Sequence, residues 1–94
     1  MKQFDFPAKF SLGRVVATPG VLAAVSREEI NDALNRHAHG DWGVMPEEDQ
    51  HTNELALNGG DRIFSAYLSS ADVRFWIITE WDRSATTILL PSEY

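Results

Sequence analysis

Ninety-four residues, 44% of them hydrophobic and 11% aromatic, supply one core and no second, because a chain of this size buries roughly 60–65% of its unfolded surface. The formal charge is −6, with eight Lys and Arg against fourteen Asp and Glu; the clustered cations that gather a phosphate backbone or an anionic lipid are missing, which argues against nucleic acid and membrane surfaces as partners. No cysteine is present, so disulfides, thiolate metal sites and cysteine nucleophiles are all excluded.

The opening MKQFDFPAKFSLG interrupts its apolar residues with Asp5 and Pro7, unlike a secretory signal, and no run of about 18 apolar residues occurs anywhere. A cytoplasmic protein is expected, folded as a single α+β domain over residues 1–94. Phe10, Leu12 and Val16 share one parity in the segment Phe10–Ala17, which predicts a short strand at one edge of a sheet. Thr18-Pro19-Gly20 follows as an N-cap with proline at the first helical position, opening a brief turn through Val21–Val25.

Ser26-Arg27-Glu28-Glu29 has the spacing of a capping box, in which the serine hydroxyl accepts from the third helical amide and the glutamate returns to the cap. The helix it starts carries Ile30, Ala33, Leu34, His37 and Ala38 on one face, with Gly40 as a left-handed stop. Pro46 and the acids Glu47, Glu48 and Asp49 suit the N-terminus of a second helix running to Asn58, which Asn58-Gly59-Gly60 ends, at the rim of the fold because its apolar face is only Leu55, Ala56 and Leu57.

Arg62–Tyr94 then reads as three short runs rich in β-branched and aromatic residues, separated by two polar breaks, which predicts an antiparallel meander. The run Arg62–Ser69 alternates, as a half-buried strand does, whereas Val73–Trp81 is apolar on both parities and belongs in the middle of the sheet. Pro91 ends the last strand, since it cannot donate to a ladder. The expected fold is α+β, an antiparallel sheet of three to four strands with two main helices packed on one face.

No motif for a cofactor is present, and none is expected to bind. His37 and His39 are two apart on a helix and point in different directions, so they cannot share a metal as an i, i+4 pair can. His37 is expected to be partly buried and hydrogen-bonded. A meander would gather Arg62, Tyr67, Glu80, Asp82, Arg83, Ser84, Thr86 and Thr87 across neighbouring strands. Two helices before an antiparallel sheet also looks like the small ribonuclease toxins of the barnase and RelE-like type, and the resemblance would give His37, Arg62, Glu80 and Arg83 the parts of base and phosphate-neutralising groups. The simpler expectation is that Asp82-Arg83-Ser84 is a hairpin turn, with Asp82 holding the backbone two residues on and Arg83 paired to Glu80. Trp42 in a glycine-flanked loop and Trp81 at a strand end, with Asp41 and Tyr67 beside them, are candidates for a protein contact surface.

GRVVATPG (Gly13–Gly20), RHAHGDWG (Arg36–Gly43), the acidic Glu47–Asp49 followed by Asn53-Glu54, RIFSAY (Arg62–Tyr67) and WIITEWDRSATTILLPSEY (Trp76–Tyr94) together resemble a family of small bacterial proteins carried on plasmids, prophages and integrative elements. Some of its members bear the label of a type I restriction enzyme modification subunit, but the chain has no methyltransferase motif to go with it. The chain departs from the family's pattern at Trp81, where a small residue is usual, and in a tighter Ser69–Asp72 turn. The resemblance implies a mobile-element protein of accessory or anti-defence type acting by protein contact, without enzymatic activity. A ribonuclease toxin and a homodimeric structural module formed through the sheet face are the alternatives.

Overall fold

The computed structural model describes residues 7–94; the first six residues, on which part of the leader expectation rests, lie outside them. Four strands, β1 (Arg14–Ala17), β2 (Ile63–Leu68), β3 (Arg74–Thr79) and β4 (Ala85–Leu89), and three helices, α1 (Pro19–Ala24), α2 (Arg27–Ala38) and α3 (Glu47–Gly59), precede a final 3-10 turn, Pro91–Glu93. The sheet order is β1-β4-β3-β2. The meander β2-β3-β4 is antiparallel, as its alternating sequence predicts, and β1 joins its end parallel to β4, with Arg14 opposite Ala85 and Ala17 opposite Ile88. The fold is α+β with a mostly antiparallel sheet.

The register puts Ile63, Ser65 and Tyr67 of β2, Phe75, Ile77 and Thr79 of β3, and Thr86 and Ile88 of β4 on one face. The apolar stripe of α2 and the residues Val21 and Val25 pack there with Tyr67, Phe75, Ile77 and Ile88 to form the main core. A second cluster joins Trp42, Ala56 of α3 and Ile63, with Phe10, Met45 and Leu57 against it. The opposite face is lined by the aromatic trio Phe64, Trp76 and Tyr94, in which Trp76 meets Phe64 at 4.8 Å and Tyr94 at 5.7 Å between ring centroids.

Local signals placed most boundaries. Thr18 and Ser26 cap α1 and α2 by accepting from Val21 and Glu29 amides, worth about 1 kcal/mol each. Gly40 and Gly60, at φ 84° and 75°, follow α2 and α3. Two expectations are corrected. The strand predicted over Phe10–Ala17 begins only at Arg14, because Gly13 turns the chain at φ 62° and Phe10 goes into the second cluster. The capping box is half formed: Glu29 sends its carboxylate to the amide and hydroxyl of Ser70 instead of back to Ser26, tying the β2–β3 turn to α2.

Candidate functional site

His37 lies two turns along the buried stripe of α2 and reaches the inward face of the sheet, where it is 0% exposed. Its Nδ1 meets Ser65 Oγ, and its Nε2 lies 2.8 Å from Thr79 Oγ1. Thr79 is 2.7 Å from Thr86 Oγ1, which donates to the Leu12 carbonyl at 2.7 Å. That last acceptor orients the whole chain. A carbonyl can only accept, so Thr86 spends its proton there and takes one from Thr79; Thr79 then accepts from Nε2–H, and Nδ1 is left to accept from Ser65. The imidazole is therefore neutral in one tautomer, and burial depresses its pKa to about 3. It is edge-on to Phe10 and Trp42 at 5.3 and 5.9 Å. Such a group is enclosed in the core of the described fold.

The turn between β3 and β4 is built around Arg83, at φ 60°. Its guanidinium donates to four carbonyls, those of Ala56, Asp61, Glu80 and Trp81, at 2.6–3.2 Å. One side chain thus closes the hairpin and anchors it to the C-terminal end of α3, where the Ala56 carbonyl also accepts from the Gly60 amide. Asp82 accepts from the Ser84 amide as expected of a hairpin turn, at 3.0 Å. Arg83 bonds the carbonyl of Glu80 and not its carboxylate, which lies 3.7 Å from Arg62 instead. On this braced turn Trp81 projects into solvent, 64% exposed.

Of the four residues proposed for a contact surface, two are in the interior. Trp42 is 2% exposed because Gly43 bridges Ala66 of β2 and draws the loop onto the sheet edge, where the indole N–H donates to Glu54 at 2.8 Å. Gly43 permits this at φ 75°, and a Cβ there would strike the Ala66 carbonyl. Tyr67 is buried and donates to the Asp41 carbonyl at 2.7 Å. Asp41 is exposed, its carboxylate paired bidentately with Arg36 at 2.8 and 3.2 Å. Of these four, Trp81 alone offers a large apolar side chain outward.

The set considered for a ribonuclease is likewise divided. Arg62 and Glu80 meet at the surface beside Tyr94, to whose hydroxyl Arg62 donates at 3.2 Å. His37 is enclosed, and Arg83 is committed to carbonyls. Among the described residues no group of three or more His, Asp and Glu side chains converges as a metal site, and no helix is long and apolar enough to cross a membrane. Sequence reasoning missed Thr79 and Asn53, and it grouped Thr86 with the polar residues of the last hairpin without placing it in the interior. The only available signal for the threonines was their inward parity among apolar neighbours. Asn53 gave none, because its partner is backbone of another element. No protein-family model, curated protein or solved structure matches the chain.

Proposed function

We propose that this protein is a non-enzymatic interaction factor that docks on another protein through Trp81, in keeping with the mobile-element accessory or anti-defence role that the sequence resemblance implies. The observation that carries the proposal is an indole 64% exposed on a turn that Arg83 holds rigid. Solvent-exposed tryptophan costs hydration free energy, and a fixed one loses little entropy on docking, the properties of an interface anchor. Glu80 and Asp82 flank it and Asp61 lies under Arg83, so the matching surface is an apolar pocket rimmed by Lys and Arg, consistent with a chain of charge −6.

Capture from host lysate with immobilised wild type and Trp81→Ala tests this. A basic partner should be retained by wild type and lost from the variant, whose stability should stay within about 0.5 kcal/mol because it removes a surface side chain. Equal recovery by both, or none by either, would refute the proposal. Trp42→Ala is not a usable probe, since it opens the second core cluster.

A small ribonuclease toxin is the competing proposal, supported by the exposed Arg62–Glu80 pair beside Tyr94. Loss of growth arrest in His37→Ala or Arg83→Ala would report unfolding. The informative variant is Glu80→Gln, which should abolish arrest only if the carboxylate acts as a base.

A further inference from the structure

The two edges of the sheet are treated differently. On β2 the outward groups of Phe64 are both taken by the side-chain amide of Asn53, which donates to the carbonyl at 2.7 Å and accepts from the amide at 3.1 Å. The outward groups of Ala66 are taken by the Trp42 carbonyl and the Val44 amide. That edge is occupied along Phe64 and Ala66. The amides of Arg14 in β1 and of Thr18 just after it bond inward to the carbonyls of Ser84, just before β4, and Ile88 of β4, so by alternation the amides and carbonyls of Val15 and Ala17 point outward. No described residue pairs with them.

The surroundings of this edge are apolar. Val15 and Val16 are 43% and 38% exposed on opposite faces. Val15, Ala17 and Leu22 line a groove against Ile30, Leu34 and Ile88. β1 carries no lysine, proline or bulge of the kind that guards an edge against pairing.

We propose that β1 is a self-association edge, along which two copies of this chain pair antiparallel about a two-fold axis at Val16 to make one eight-stranded sheet. The register follows from the strand's own limits. Centring the axis on Val15 would use the turned Gly13, and centring it on Ala17 would require an amide from Pro19, which has none. Only the axis at Val16 places Val15 opposite Ala17 of the second copy and uses both pairs of outward groups. It also sets Val16 against Val16, and Arg14 against Thr18 of the second copy.

Charge favours the same register. The Thr18 hydroxyl donates to Glu93, which also accepts from the Gly20 and Leu90 amides. Arg14, Val16 and Thr18 share a face, so at each end of the pairing an arginine of one copy arrives beside the Glu93 carboxylate of the other. The one cation on the strand thus meets an anion already held in place. Because Phe64 and Ala66 at the middle of the β2 edge are already taken, pairing stops at two copies and does not propagate into a fibre.

The test is the mass in solution of the full chain and of two variants at the axis. Wild type should sediment at twice its 10.6 kDa chain mass. Val16→Glu and Val16→Lys, which oppose like charges at the two-fold, should each sediment as single chains with unchanged circular dichroism, and an equimolar mixture of the two should recover the doubled mass. Trp81→Ala should remain double, separating this edge from the proposed partner surface. A wild type of single mass, a dimer indifferent to both Val16 variants, or one lost in Trp81→Ala would each overturn the proposal. If one Val16 variant fails to fold, the other alone still decides it.

Discussion

Arg83 is the side chain with the most structural duties. It sits in the left-handed region, which disfavours most residues other than glycine, and is kept there by four carbonyl bonds, one of them to Ala56 of α3. Lysine has the charge but not the planar fork, so the three donors of its single nitrogen cannot serve all four carbonyls at once. Arg83→Lys should lower stability by about 1–3 kcal/mol, since hydrogen bonds to a charged group are worth roughly that much. Urea unfolding checks this, and an unchanged midpoint would mean that the turn stands without the clamp. The expectation that Arg83 pairs with the Glu80 carboxylate failed because a turn brings backbone carbonyls closer to the guanidinium than the outward-pointing acid.

Edge protection belongs to the elements. Asn53 of α3 stands in for a missing strand by offering β2 one donor and one acceptor in the spacing of a peptide group. Asn53→Asp keeps the shape but removes the donor and places a carboxylate at a site 3% exposed. The Phe64 carbonyl is then unpaired and faces a charge. A loss of about 2–4 kcal/mol is expected, measured as a lower thermal midpoint together with faster amide exchange in β2. Retained protection in β2 would show that the Trp42–Val44 segment alone seals the edge. The same logic explains why Trp42 is interior. A glycine-flanked loop looks free in sequence, but its backbone completes the sheet and carries the indole inward.

For the whole molecule the polar chain through His37 sets the response to acid. Its folded pKa of about 3 lies below the ordinary 6.5, so between those values the unfolded chain binds a proton that the native state refuses. The sign is therefore that stability is present above pH 6.5 and is lost as pH falls toward 3, at a slope approaching about 1.4 kcal/mol per pH unit. The Glu93 carboxyl, lowered chiefly by the Thr18 hydroxyl, adds a loss of the same sign in the carboxylate range. Urea unfolding as a function of pH should show this decline in wild type and a much flatter one above pH ~4.5 in His37→Gln, which cannot titrate. Parallel slopes for the two proteins would locate the acid sensitivity elsewhere.

Much of this architecture was already written in local pattern. Alternation marked the meander, 3.6-residue periodicity marked α2, and Thr18, Ser26, Gly40 and Gly60 marked where helices begin and end, because propensity and capping act within a few residues. His37 was legible as a hydrogen-bonded member of the buried stripe, though not as the end of a relay crossing 74 positions from Thr86 to Leu12. Which tryptophan is outside, which strand edge is open, that β1 runs parallel to β4, and that Glu29 leaves its cap for Ser70 were decided only by the tertiary structure. Each depends on a backbone group from a distant element taking or leaving a hydrogen bond, and nothing in the neighbouring residues encodes which distant group arrives.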